Sequence, residues 1–482
     1  MKNILSFFLV AVLFSSCSSV LEEKPQSIAA ENFYNTAGEV QAGLNAIYKP
    51  IRQGGSMGAL YQCQTEIYAE YMYGRGSHAP LNDYQGLDNT NITRVGDMWA
   101  NFYEAIRNAN LVIQKTPTGS KITEADVTRF VAEARFMRAL IYFHLVRNWG
   151  GVPLRTEANM TVQDLARSSA QDVYNFILDD LTFAQTNLPE TPRLAGAPNK
   201  WAAKTVLADV YMNLHDYPKA RDAAKEVINS NKFNLVPVVV ADDFDKIFGP
   251  DVQSSSEEIF YLKFSRTPAD QGFSFPMYAH YPNSGYYPPG GYYTFYSDAV
   301  NNKFVSQWDR NDLRYTFNWY SQTFGLGNST ILNKKFSDRA TTTAGGNDYP
   351  MYRYADVLLF YAECQARAAG QPDADAMETL NKIHRRAYGK PAATPDASVD
   401  FKLSDYASLD AFVNLVVRER TYEDCGEGKH WHDLKRLGTA KQVIKDMKNI
   451  NMADKHLLWP IPTIEYNYNK AIDPVKDQNP GY

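Results

Sequence analysis

The sequence predicts an all-α fold: a scaffold of four tetratricopeptide-like helix pairs, interrupted by an irregular loop-rich region with minor β-hairpins. Three observations predict it. Apolar residues recur at helical spacing in one segment after another. Paired segments carry the small and aromatic residues that let one helix pack on the next. The long interval from Phe233 to Ala344 has no helical period and is rich in Pro, Gly and aromatic residues.

The N-terminus reads as a targeting segment. Lys2 supplies a positive charge and Ile4 to Phe14 an apolar run too short to span a membrane. Phe14-Ser15-Ser16-Cys17 looks like a bacterial lipobox, which makes residues 1–16 a signal peptide and Cys17 the lipidation site. Residues 17–31 are then a polar tether with Glu22 and Glu23 beside the lipid, and 32–482 the folded domain. Its helical scaffold is expected over 32–232 and 350–450, and its loop-rich ligand region over 233–349.

Thr36 opens a helix to about Arg52 with Val40, Leu44, Ile47 and Ile51 on one face. Tyr61 to Tyr73 reads as a second helical segment, and Gly74 to Gly96 as a long loop. A helix from about Asp97 to Lys115 follows, with Trp99, Phe102, Ile106, Ala109 and Ile113 in phase, which makes Trp99 a core residue.

The strongest element is the helix from Thr123 to Gly150. Thr123 and Asp126 resemble a capping box, and Gly150, Gly151 and Pro153 supply the stop. Phe130, Ala134, Met137, Ile141 and Leu145 form its stripe, and its last three turns are apolar almost all round. At 1.5 Å per residue it is roughly 37 Å long, the spine of the fold. Ala170 to Leu188 and the pair Asn199–Leu214 and Tyr217–Asn231 continue the array. Tyr352–Ala369 with Pro372–Arg386 repeats it, and further helices are expected over Leu409–Tyr422 and near His432–Lys448.

Composition limits the function. A net charge of −5 with dispersed Lys and Arg leaves no nucleic-acid footprint. Aromatics make up 13% of the 482 residues, and ten of them crowd between Phe273 and Tyr296, around SGYYPPGGYY. Such rings suit stacking on sugars, whose pyranose faces are patches of C–H groups. The candidate ligand-binding residues are Tyr286, Tyr287, Tyr292, Tyr293, Tyr296, Trp319 and Tyr320, joined by Tyr73, Arg75 and Tyr84 from the Gly74–Gly96 region.

Other chemistry is weaker. His430 and His432 stand two apart on a helix and so point to nearly opposite sides, which does not make a metal site. Arg418, Glu419, Arg420 and Glu423 have the spacing of ion pairs between packed helices, as do Glu133 and Arg135. A glycosidase needs two facing carboxylates, and only Asp270 and Asp298 flank the aromatic cluster. The expectation is a binding protein without catalytic residues or cofactor. Cys63, Cys364 and Cys425 leave buried thiols and a Cys364–Cys425 pair both open.

The run AEARFMRALIYFHLVRNWGGVPL resembles the signature helix of the SusD/RagB family of outer-membrane nutrient-binding lipoproteins. LEEKPQS, RYADVLLFYAECQ, VVRERTYEDCGEGKHWHDLKRLG and LLWPIP…QNPGY resemble further family segments in the expected order. Asp424-Cys425 and His432 depart from the apolar pair and the aromatic usual there. The resemblance implies four tetratricopeptide-like helix pairs, a ligand surface on the loops, and a SusC-like TonB-dependent transporter as partner. It also implies glycans, or in some members peptides, as ligands, captured at the cell-surface side of the outer membrane by a lipid-anchored protein.

Overall fold

The computed structural model describes residues 33–267 and 271–482. The predicted signal peptide, Cys17, the tether and Asp270 lie outside the described residues.

The first helix, α1 (Ala37–Ile51), begins at a full capping box. Thr36 Oγ1 accepts from the Glu39 amide, and the Glu39 carboxylate accepts from the Thr36 amide at 2.8 Å. Val40, Leu44, Ile47 and Ile51 are buried, as their spacing predicts. Helix α2 (Leu60–Ile67) is shorter than its apolar run suggests. The chain turns after it, burying Tyr68 against Trp431 and Tyr71 against Phe304, and Tyr73 enters strand β1 (Tyr73–Gly74). The predicted loop Gly74–Gly96 is also partly helical. Helix α3 (Asn89–Lys115) starts eight residues before Asp97, because Asp88 caps it by accepting from the Asn91 amide at 2.9 Å. Its first turns are Asn- and Thr-rich and therefore carry no apolar period.

The spine is α4 (Glu124–Trp149), and every side chain from Phe136 to Val146 is buried. Gly150 ends it at φ 72, a backbone region that favours glycine. A Cβ on Gly151 would lie 2.3 Å from the Ser168 carbonyl oxygen. All-round burial includes a charge. Arg138 donates to both Asp180 oxygens, at 2.7 and 2.9 Å, and to Asn110 Oδ1, which ties α3 and α4 to α5 (Ala170–Asn187). On α5, Val173, Ile177, Leu181 and Ala184 are buried as expected. Helices α6 (Lys200–Asn213) and α7 (Tyr217–Asn229) form the third pair, and α8 (Tyr354–Ala369) and α9 (Ala374–Ala387) the fourth. Four pairs are therefore present among the described residues: α1 with α3, α4 with α5, α6 with α7, and α8 with α9. They stack in sequence, with α7 packed directly on α8 although the whole loop-rich region separates them in the chain.

That region is organised by two small sheets. Strands β2 (Glu258–Leu262) and β6 (Tyr349–Arg353) pair antiparallel, with Tyr261 opposite Pro350. Strand β1 joins β3 (Phe295–Asp298), β4 (Trp319–Ser321) and β5 (Thr330–Asn333) in the order β1-β3-β5-β4. Among the described residues only β4 and β5 form a local hairpin, and the other strand pairings are long-range.

The C-terminal segment closes the interior. Helix α10 (Leu409–Asp424) packs on α8, and two short helices, α11 (His430–Arg436) and α12 (Ala440–Lys448), replace the single one expected near His432–Lys448. Apart from the exposed Arg418, the charges singled out in the sequence are used internally. Glu419 pairs with Arg314 at 2.8 Å, Glu423 with Arg353 at 2.8 Å, and Arg420 with Asp433 at 3.0 Å. Arg418 lies over the Phe401 ring. Glu133 pairs with Arg193 and Arg135 with Asp180. Cys63, Cys364 and Cys425 are buried free thiols, which decides between the two alternatives. No helix among the described residues is long and apolar enough to cross a membrane.

Candidate functional site: an aromatic face on the small sheet

Pairing of β1 with β3 places Tyr73 opposite Tyr296, with ring centroids 5.4 Å apart. Strand alternation aims the two faces of β3. Phe295 and Ser297 are buried, while Tyr296 and Asp298 are half-buried. Asn302 Nδ2 donates to the Tyr73 hydroxyl at 3.1 Å, and Lys448 Nζ lies 5.1 Å from the Tyr73 ring. Both contacts hold the ring in place.

Arg75 organises the next layer. Its guanidinium lies 3.9 Å from the Tyr293 centroid and 5.6 Å from that of Phe324. Its amide donates to the Thr294 carbonyl at 2.9 Å. The segment carrying Tyr292 and Tyr293 is clasped to residues 277–280. Tyr292 and Thr294 donate their amides to the carbonyls of Met277 and Tyr278, each at 2.7 Å. Gly291 permits this approach, since a Cβ there would sit 2.3 Å from the His280 carbonyl oxygen. Tyr293 itself is held at φ 37, a strained value for a bulky residue. Tyr281 packs 4.7 Å from Tyr293 and stacks on Phe324 at 5.7 Å. Tyr278 meets Tyr292 edge-on at 5.7 Å, and Tyr292 is 60% exposed.

A second group adjoins the first. Tyr286 and Tyr320 lie 4.6 Å apart, and both stack near the buried His280 ring. The Tyr281 amide donates to the Tyr320 hydroxyl at 3.0 Å, linking the groups. Burial pushes His280 down to about 4, so the ring is neutral. Desolvation raises the Tyr73, Tyr296 and Tyr320 phenols, which stay protonated and can donate and accept hydrogen bonds.

Seven of the predicted residues thus fall together: Tyr73, Arg75, Tyr286, Tyr292, Tyr293, Tyr296 and Tyr320. Three do not offer a face. Tyr287 is fully buried and donates to the Thr343 carbonyl at 2.7 Å. Tyr84 is 7% exposed, with its hydroxyl on the Tyr68 carbonyl. Trp319 is 4% exposed, because the β4 pleat that turns Tyr320 outward turns it inward. Phe273, Phe275 and Phe295 are likewise buried and pack together with Phe336. The face also includes Phe324, which no sequence pattern singled out and which sits with Leu326 in the Gly-rich β4–β5 turn.

The remaining polar candidates serve the interior. His430 Nε2 lies 2.9 Å from the Glu70 carboxylate and its Nδ1 3.0 Å from Thr421 Oγ1, while His432 Nε2 meets the Tyr61 hydroxyl at 2.9 Å. Asp298 accepts from the amides of Val300 and Asn301, at 2.9 and 2.8 Å. Among the described residues no cluster of His, Cys, Asp and Glu is arranged to hold a metal ion. A cleft of about 440 Å³ lies elsewhere, between residues 234–239 and the end of α9, and none of the aromatic face lines it.

Comparison with known proteins adds the family context. A family model described as starch-binding associating with outer membrane matches residues 20–212, and one described as the SusD family matches residues 301–482. The chain is 28% identical to SusD-like protein P38 of Formosa agariphila, over 95% of this chain and 96% of the relative. It is 24% identical to SusD-like protein P25 of the same organism, over 100% and 99%. A SusD homolog from Bacteroides thetaiotaomicron superposes with a TM-score of 0.80 at 22% identity, over 94% of this chain and 98% of that one. A structure described as a laminarin-binding SusD-like protein gives 0.74 at 22% identity, over 93% and 100%. These superpositions show a shared fold.

Proposed function

This chain belongs to the SusD/RagB family, and from that premise we propose that it is a surface-facing outer-membrane lipoprotein that binds glycans. It hands them to a SusC-like TonB-dependent transporter. The observation that carries the reading is the aromatic face around Arg75, Tyr292 and Tyr293. Seven half-buried or exposed rings (Tyr73, Tyr278, Tyr281, Tyr292, Tyr293, Tyr296 and Phe324) are held there by backbone clasps and a cation.

Rigid rings held at low entropic cost suit sugar stacking, and the protonated phenols of Tyr73 and Tyr296 supply hydroxyl partners. Of the two carboxylates that flank the cluster, Asp298 is the one among the described residues, and it is occupied by the turn that follows it. The protein on this reading binds without chemistry. Residues 1–16 act as a signal peptide, Cys17 carries the lipid, and 17–31 tether the domain to the membrane.

A carbohydrate microarray followed by calorimetry tests the ligand. Oligosaccharide binding that is lost in the Tyr292→Ala, Tyr293→Ala double variant supports the reading. Retention of peptides alone, or release of reducing ends from oligosaccharides, overturns it. Co-purification of a large β-barrel in mild detergent tests the partner.

A further inference from the structure

One end of the aromatic face carries cations that the protein does not neutralise. Lys334 Nζ lies 5.3 Å, and the Arg339 guanidinium 4.9 Å, from the Tyr286 centroid. Among the described residues neither side chain makes an ion pair or a hydrogen bond. Their neighbours are matched: Lys335 pairs with Glu427 at 2.7 Å, and Arg266 with both Asp338 and Asp251 at 2.6 Å. Asp242 and Asp245 face the cations from residues 241–248 without reaching them as ion pairs. Lys334 is half-buried, and desolvation pushes its ammonium pKa down. A partly desolvated ammonium without a partner is costly to keep. Sugar hydroxyls alone would not call for two such charges.

We propose that this end of the site takes an anionic group on the sugar, a uronate carboxylate or a sulfate ester, between Lys334 and Arg339 and beside Tyr286 and Tyr320. The proposal rests on the glycan-binding reading above. It names the substrate class as acidic glycans, with the phenols of the neighbouring face contacting the uncharged remainder of the chain. Arg339 is exposed and Lys334 half-buried, so an incoming anion meets one cation at the rim and the other further in. The guanidinium offers a planar fork to two oxygens and the ammonium a point charge.

Affinity gel electrophoresis of the mature chain tests this, with polygalacturonate, dextran sulfate, unsubstituted dextran or poly-glutamate cast in the gel. The expected result is retardation by polygalacturonate or by dextran sulfate, and which of the two retards assigns carboxylate or sulfate. The double variant Lys334→Met, Arg339→Met is expected to bind at least about tenfold more weakly with an unchanged unfolding temperature. Equal retardation of that variant overturns the proposal. So does a preference for poly-glutamate. Loss of retardation in Tyr286→Ala but not in the double variant keeps the glycan site and removes the charge assignment. Retardation by dextran alone does the same, whereas no retardation by any of the four overturns the acidic-glycan proposal and leaves the glycan reading to the microarray.

Discussion

The Arg75 guanidinium stacks 3.9 Å from the Tyr293 centroid while its Nη1 donates to the Tyr292 carbonyl at 3.1 Å. One side chain from the first half of the chain therefore holds two candidate stacking residues of the loop region. Removing it in Arg75→Ala deletes two cation–π contacts and the Nη1 hydrogen bonds to the Tyr292 and Tyr293 carbonyls, a stability loss of about 1–2 kcal/mol. The loss of glycan affinity should be larger than that, because Tyr292 and Tyr293 lose their fixed orientation. Arg75→Lys keeps the charge but not the planar stack and should restore little. Calorimetry beside thermal unfolding separates the two effects; equal affinity in Arg75→Ala would remove its positioning role.

Tyr292 and Tyr287 stand five residues apart and should respond in opposite ways. Tyr292 is 60% exposed, so Tyr292→Ala should change stability by no more than about 0.5 kcal/mol and weaken ligand binding. Tyr287 is fully buried and hydrogen-bonded, so Tyr287→Ala should cost about 3–5 kcal/mol. Its affinity, measured well below the unfolding temperature, should be close to that of the parent.

This contrast marks what the sequence could carry. Local rules were sufficient where they act locally. The helix start at Thr36, the stripe Val40–Ile51 and the all-round apolar turns of α4 each appear where spacing puts them. In the run Phe273–Tyr296 no period separates inward from outward rings, because side-chain direction there is set by partners far away in the chain. Tyr296 faces outward through pairing with Tyr73, and Tyr287 faces inward onto Thr343. The early start of α3 was hidden for a local reason, since Asp88 and the polar Asn91 replace an apolar signal there. Phe324 joins the face only because β4 and β5 fold its turn back onto Tyr281.

Phe143 offers a test of the division between spine and loops. It is buried in α4, with the Arg147 guanidinium 4.0 Å from its ring centroid. Phe143→Ala removes a large core side chain and leaves a cavity, at a cost of about 3–5 kcal/mol. Denaturant titration should show that loss, while ligand selectivity below the midpoint stays that of the parent. A variant with parental stability and altered selectivity would contradict the assignment of α4 as scaffold.

The His430–Glu70 pair gives the stability a pH signature. Both groups are buried and the Nε2 lies 2.9 Å from each carboxylate oxygen. Burial alone would lower His430, but the Glu70 charge outweighs it and holds the imidazolium above its ordinary 6.5, with Asp433 and Glu66 adding to the effect. The imidazolium in turn holds Glu70 below its ordinary 4.5 against desolvation. A raised histidine stabilises fully below its unfolded value, and that contribution is lost as pH rises through the folded one. A lowered carboxylate stabilises above its unfolded value, and that contribution is lost as pH falls through the folded one. The pair is therefore worth most between about 4.5 and 6.5. Denaturant titrations of the parent and of His430→Gln across pH 4 to 9 should show the parent's advantage greatest in that window. It should shrink above neutrality as the imidazolium deprotonates. A difference that stays flat across the range would mean that His430 is neutral in the folded protein.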